Sequence, residues 1–158
     1  MKVQDVMTSE VKSCRPETNL AAAAVMMLDY DCGALPVVND ENKLIGMITD
    51  LDIAIAAATK TRLAWEIPVS EVISRKVYSA MPDEDVLAAL KTMRQEKIRQ
   101  LPIVNRAGAL LGILSLNDVA LRAEEEKGRR HPVLTYEDAM SGVKAICEHR
   151  HARRAVAA

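Results

Sequence analysis

The apolar positions fall into short blocks of two kinds. Leu20, Ala23, Ala24 and Met27 recur at helical spacing and predict a helix over about residues 20–28. Ala34–Val38 and Leu44–Ile48 are continuous apolar runs on either side of the polar stretch Asn39-Asp40-Glu41-Asn42, which predicts two strands joined by a turn. A second, Ala-rich helix is predicted from Leu51 to Ala58. Pro36 cannot donate to a ladder, so its strand needs an edge position or a bulge. Upstream, Val3-x-x-Val6-Met7 reads as an amphipathic turn leading into an extended piece around Val11. Pro16 followed by Glu17-Thr18 marks the start of the first helix.

The same order returns 66 residues later without a gap. Val3, Val6, Val11, Ser13, Pro16, Ala22, Ala23 and Met27 match Val69, Val72, Val77, Ser79, Pro82, Ala88, Ala89 and Met93. Leu35, Pro36, Val38, Asn39, Leu44, Gly46 and Asp52 match Leu101, Pro102, Val104, Asn105, Leu110, Gly112 and Asp118. The second copy therefore predicts a helix start at Pro82–Asp85, a buried face of Val86, Ala89, Leu90 and Met93, and strands at Ile98–Val104 and Leu110–Leu114. Such a duplication outranks any local reading. Each unit is β-α-β-β-α, so the fold class is α/β, with repeats over residues 1–62 and 63–122 and an extension over residues 123–158. A half of about 60 residues is marginal alone, whereas a 150-residue domain buries roughly 70% of its unfolded surface, so the halves should share a core.

In the extension, the charged run Leu121–Lys127 is expected to lengthen the last helix of the second repeat, and Gly128 with Pro132 to stop it. Thr135-x-x-Asp138 then caps a further amphipathic helix over 136–149, with Ala139, Met140, Val143, Ile146 and Cys147 on one side. The chain finishes on a basic run, His149-Arg150-His151-Ala152-Arg153-Arg154, expected to be solvated.

Composition narrows the chemistry. Apolar residues make up 49% of the 158 residues, but aromatics only 3%, with no Phe, so the core is aliphatic and methionine-rich. A net charge of −1 gives no global field that would favour nucleic acid. Cys14, Cys32 and Cys147 have no metal-ligand spacing and read as free thiols of a reducing compartment. The N-terminus lacks an apolar signal region and no run reaches membrane-spanning length, so a cytoplasmic protein is expected. All three histidines, His131, His149 and His151, fall in the extension, and no Gly-rich phosphate loop is present; an enzyme is not expected.

The candidate site lies where each second strand meets its helix: Gly46-Met47-Ile48-Thr49-x-x-Asp52 and Gly112-Ile113-Leu114-Ser115-x-x-Asp118. A hydroxyl and a carboxylate three apart can satisfy the free N–H groups of a helix start as a capping box. The same donor-rich start can also hold the hydroxyl or phosphate oxygens of a ligand. Gly46 and Gly112, inside strands, point to a close backbone approach or to tight packing.

Together with Leu35-Pro36-Val37-Val38 and Leu101-Pro102-Ile103-Val104, these motifs resemble the CBS (cystathionine-β-synthase) domain, and the pair resembles a tandem CBS or Bateman module over about residues 1–122. The resemblance implies two pseudo-symmetric βαββα repeats packed sheet to sheet, clefts between them for an adenosine-containing ligand, and frequent pairing into disc-like dimers. It implies one cleft of Thr49 and Asp52 with Met81, Ile98, Arg99 and Gln100, and another of Ser115 and Asp118 with Arg15, Cys32, Gly33 and Ala34. Asp52 and Asp118 would accept from ribose hydroxyls, Thr49 and Ser115 would donate to ribose or phosphate oxygens, and Arg99 would suit a phosphate. The expected role is a regulatory module sensing an adenine nucleotide or S-adenosylmethionine, with no cofactor required and a protein partner regulated in trans. The alternative is a structural or interaction module with empty clefts. Apolar surface at Val3–Met7 and Leu51–Ala58, with Trp65 at a seam, predicts a homodimer.

Overall fold

The computed structural model describes residues 1–74, 76–125 and 132–148. Gly128, His131 and the basic run from His149 lie outside the described residues. Each repeat folds as a helix, a two-stranded antiparallel hairpin and a second helix. In the first these are α1 (Leu20–Asp29), β1 (Ala34–Val38), β2 (Leu44–Thr49) and α2 (Asp50–Thr59); in the second, α3 (Val86–Glu96), β3 (Gln100–Val104), β4 (Leu110–Ser115) and α4 (Leu116–Arg122). A further helix, α5 (Tyr136–Cys147), follows. The mixed α/β fold of two pseudo-symmetric units with a C-terminal helix is the one expected.

Local chemistry accounts for the element ends. Asn19, rather than Glu17 or Thr18, caps α1 by accepting from the Ala22 N–H at 2.8 Å, while the Thr18 hydroxyl accepts from the Arg15 N–H at 3.0 Å. Asp85 caps α3 through the Leu87 N–H. Left-handed residues recur at the repeat spacing: Asp31 (φ 48°) and Lys97 (φ 55°) follow the helices, and Asn42 (φ 60°) and Gly108 (φ 82°) turn the hairpins. The prolines sit one position before a bulge, between Val37 and Val38 and between Ile103 and Val104. Their carbonyls accept from the N–H groups of Cys14 and Ala80, and the expected first strand of each unit is reduced to a single parallel bridge there.

The two units exchange their leading segments. Val3 and Val6 are buried in the core of the second unit, with Val86, Ala89, Met93 and Leu101, while Ile67 and Val69 enter that of the first, with Leu20, Met27, Leu35 and Ile48. The hydrogen bonds are paired the same way: Val3 N–H to Glu84 O and Val86 N–H to Met1 O in one, Val69 N–H to Thr18 O and Leu20 N–H to Ile67 O in the other. The apolar face of Val3–Met7 is therefore largely spent inside the molecule, and the dimer surface expected there does not exist. Between the units the hairpin turns also join, Leu44 N–H to Gly108 O and Leu110 N–H to Asn42 O, each at 3.0 Å.

The exchange explains the strand glycines. A Cβ on Gly112 would lie 2.6 Å from the Thr8 carbonyl oxygen, and one on Gly46 would lie 2.8 Å from Ile73 Cδ1 and 3.2 Å from the Ser74 carbonyl. The approaching backbone is that of the exchanged segment.

The extension departs from expectation. α4 stops at Arg122; Ala123 is buried, and Glu124 turns back into a bridge with Thr135. That bridge aims α5 across α3 and α4, where Gly142 meets Leu90 and Leu116 closely enough that a Cβ would sit 2.9 Å from Leu90 Cδ1. α5 buries Ala139 and Gly142. Met140, Val143 and Cys147, expected on the same buried side, point outward instead.

Candidate functional site

Both hydroxyl–carboxylate motifs sit where a hairpin passes into its second helix, and both are complete capping boxes. The Asp52 N–H donates to Thr49 Oγ1 (3.1 Å), and Asp52 Oδ2 accepts from the Thr49 N–H (2.9 Å) and hydroxyl (2.7 Å). The Asp118 N–H donates to Ser115 Oγ (3.1 Å), and Asp118 Oδ2 accepts from the Ser115 N–H (2.7 Å) and hydroxyl (2.5 Å). Thr135 and Asp138 repeat this geometry at the start of α5, outside either repeat. The box by itself therefore marks a helix start and not a site.

What sets the first two apart is their surroundings and the second carboxylate oxygen. Asp118 Oδ1 accepts from the hydroxyl of Thr8, on the exchanged segment, at 3.1 Å. Asp52 Oδ1 accepts no hydrogen bond among the described residues. Ser74, which corresponds to Thr8 in the repeat, turns its hydroxyl to the Lys76 carbonyl instead. Thr8 was missed in the sequence, although a hydroxyl residue at both Thr8 and Ser74, 66 residues apart, was the available signal.

The hairpins decide which residues border each motif. Ala34 pairs with Thr49 and Gln100 with Ser115; the Asp50 N–H donates to Gly33 O and the Leu116 N–H to Arg99 O, both at 3.0 Å. Cys32, Gly33 and Ala34 thus lie beside Thr49 and Asp52, and Ile98, Arg99 and Gln100 beside Ser115 and Asp118. An antiparallel hairpin sets the first residue of one strand against the last of its partner, so this adjacency runs within a repeat. The grouping across the repeats that the resemblance implies concerns the cleft between them and not the register of either hairpin. Thr8 reaches Asp118 from the exchanged segment.

Around these motifs, Gly33 is exposed, with the Asp50 carboxylate 3.3 Å from where a Cβ would stand, and Ala34 is buried. Cys32 and Ile98 occupy equivalent half-buried places against the two cores. Arg99 is exposed and forms no ion pair among the described residues. Arg15 lies away from Gly33, at the turn end of its hairpin, where it donates to the Asn39 carbonyl and stands 3.7 Å from Asp40. Met81, its counterpart, donates its N–H to Glu84.

Burial pushes the Cys14 thiol up to about 11 and raises that of Cys32 as well, so neither offers a thiolate near neutral pH. Among the described residues no group of three or more His, Cys, Asp and Glu side chains is gathered to hold a metal ion. Between the units opens a cleft of about 240 Å³, lined by Leu44 and Ile45 from the first repeat and Val77, Ser79, Val104 and Gly108 from the second. Twelve residues were assigned to the site from sequence, and none lines this cleft. It is formed by the join of the hairpin turns, which no periodicity reveals.

Residues 3–59 and 69–125 each match the family model described as the CBS domain. The chain is 39% identical over 119 residues to the CBS domain-containing protein YhcV of Bacillus subtilis, covering 75% of this chain and 83% of that protein. It is 35% identical over 117 residues to a homoserine O-acetyltransferase of Methanococcoides burtonii, covering 74% of this chain but only 23% of that enzyme. Among solved structures, the CBS domain pair of protein MJ0100 in complex with 5-methylthioadenosine and S-adenosyl-L-methionine superposes with a TM-score of 0.70 at 26% identity, over 77% of this chain and 94% of that one.

Proposed function

The chain belongs to the CBS-domain family, and from that premise we propose that it is a regulatory module whose paired repeats bind an adenosine-containing small molecule, an adenine nucleotide or S-adenosylmethionine. The observation that carries this reading is Asp52. Its carboxylate is fixed at the start of α2 through Oδ2, while Oδ1 accepts no hydrogen bond among the described residues. A carboxylate held in this way accepts from ribose hydroxyls without first being ordered. Around Asp52 the site comprises Thr49, Cys32, Gly33 and Ala34. The second comprises Ser115, Asp118, Ile98, Arg99 and Gln100, with Thr8 already bonded to Asp118. Arg99, exposed and without an ion pair among the described residues, suits a phosphate in this second site. The MJ0100 pair, complexed with two adenosyl compounds, supports the ligand class.

CBS pairs stand within enzymes such as the acetyltransferase and in proteins such as YhcV. For this chain the proposed role is control and not catalysis, acting on a partner protein in trans, as a homodimer, with no cofactor required. No helix among the described residues is long and apolar enough to cross a membrane, and the proposed location is the cytoplasm.

The rival reading, a structural or interaction module with empty clefts, draws on the capping boxes being complete without ligand. Ligand-dependent stability separates the two. A compound at 100 times its Kd stabilises an occupied site by about 2.7 kcal/mol. For a chain of this size that raises Tm by roughly 5–10 °C. Adenosine, AMP, ATP and S-adenosylmethionine, each at millimolar concentration, form the panel. A Tm unmoved by all four overturns the binding reading.

A further inference from the structure

The two carboxylates proposed to hold ribose differ at one atom. Oδ2 of each belongs to its capping box. Oδ1 of Asp118 accepts from the Thr8 hydroxyl at 3.1 Å, whereas Oδ1 of Asp52 accepts no hydrogen bond among the described residues. The repeat places this difference in a side chain and not in the backbone. Thr8 bridges Ile113 of β4 through its N–H and its carbonyl, both at 2.9 Å. Ser74, 66 residues on, bridges Met47 of β2 in the same way, at 3.2 and 3.3 Å. Each residue is thus joined to the strand that leads into a carboxylate, yet only Thr8 donates to one. The Ser74 hydroxyl donates to the Lys76 carbonyl.

The Thr8 hydroxyl is not what holds the exchanged segment. The bridge to Ile113 is complete through the backbone, and Val3 and Val6 are buried in the second core. The Thr8 carbonyl lies so close to Gly112 that a Cβ there would stand 2.6 Å from its oxygen, so the backbone has no room to move toward the strand. The side chain is exposed, however, and turns about a single Cα–Cβ bond between staggered positions. A hydroxyl turned away is hydrated, so only its bond to Asp118 is lost. What Thr8 sets on Oδ1 is a secondary alcohol, the same group that ribose carries at its 2′ and 3′ positions.

We propose that Thr8 is an internal competitor for ribose. In the ligand-free chain its hydroxyl fills the acceptor position on Asp118 that a ribose hydroxyl takes, and an adenosine-containing ligand has to turn it away. This rests on the binding reading above and adds to it an order of filling. The Asp52 site, whose Oδ1 accepts from no side chain among the described residues, fills first. The Asp118 site responds at higher ligand concentration. The two repeats thereby cover a wider range of ligand concentration than two equal sites, and the residue that sets the width lies outside both capping boxes.

The test is calorimetric titration of the full chain in an Asp52→Ala background, which leaves the Asp118 site to be read. The titrants are adenosine, AMP, ATP and S-adenosylmethionine, with 2′,3′-dideoxyadenosine as the control that has no ribose hydroxyl. Thr8→Val removes the donor and keeps the shape of the side chain; Thr8→Ala removes the donor and adds no apolar contact. Both should tighten the ligands that bind by about threefold to tenfold, the equivalent of one hydrogen bond. Neither should tighten dideoxyadenosine. Unchanged or weakened binding in both variants makes Thr8 a bystander or a ligand contact and overturns the competition. So does a gain confined to Thr8→Val, or one that dideoxyadenosine shares, since each reports an apolar contact. A background that binds no titrant with or without Thr8 also overturns it, while the Tm of the wild type with the same compounds decides the binding reading separately.

Discussion

The helical layers of the two repeats began as one sequence and now have opposite fates. Leu90 on α3 is 2% exposed beneath α5, whereas its counterpart on α1 is Ala24, open to solvent. Leu116 on α4 meets Gly142, and its counterpart is the exposed Asp50. The second repeat completes its burial within the chain; the first leaves a smooth, Ala-rich face bordered by acids. Duplication supplied two equivalent surfaces, of which α5 covers the second from inside the chain while the first keeps its apolar residues exposed.

The sites diverge in the same direction. Asp118 is held at both oxygens, one of them by Thr8, while Asp52 is held at one. The second repeat is the finished half in its packing and its hydrogen bonding alike.

The largest effect that sharpens this comparison is at Leu90. Leu90→Ala removes a sealed side chain and should cost about 2–5 kcal/mol. Leu28→Ala, measured in dilute protein where no dimer forms, should change stability by less than about 0.5 kcal/mol. Denaturant unfolding of both variants checks the contrast, and similar losses would break it.

Next come the strand glycines. Gly112→Ala drives a Cβ into a backbone carbonyl that cannot yield, and should cost about 1–3 kcal/mol. Gly46→Ala first meets the end of the Ile73 side chain, which can rotate away, so its loss should be smaller. Equal melting temperatures for the two would mean that the exchanged segments are held alike.

How much of this was legible in the sequence depends on the range of the interaction. The helix at Leu20, the strand at Ala34–Val38 and their copies revealed themselves because helix and strand periodicities are local, whereas the strand expected around Val11 is only a bridge at Cys14. So did the capping boxes, which span three residues. The exchange of Val3 and Ile67 between units was not legible, since an apolar residue reads the same in either core. That also hid Thr8 at Asp118, the intermolecular-looking face of Val3–Met7 being internal, and the cleft at Leu44 and Ser79. For α5 the stripe was visible but not its direction: Ala139 and Gly142 face inward because only small residues let the helix approach Leu90. The larger Met140 and Val143 are left outside.

A smaller effect concerns the linker, which has no counterpart in the second half. Arg62, and more weakly Lys60, hold the Glu71 carboxyl below its ordinary value. Because the folded value is depressed, this contribution is present above the unfolded value and is lost as pH falls through the folded one. Arg62→Ala should therefore flatten the acid limb of the stability profile slightly, an effect read from melts taken across the carboxylate range.

The binding claim is tested most directly by calorimetric titration of S-adenosylmethionine, adenosine, AMP and ATP into wild type, Asp52→Ala and Asp118→Ala. Each variant gives up a helix cap at about 1 kcal/mol and should stay folded. Asp52→Ala should weaken the tighter site at least about tenfold, the equivalent of one hydrogen bond to a charged acceptor. Asp118→Ala should weaken binding less, because Thr8 already occupies its second oxygen. If both variants bind as the wild type does, the two motifs are helix caps only and the site assignment is wrong.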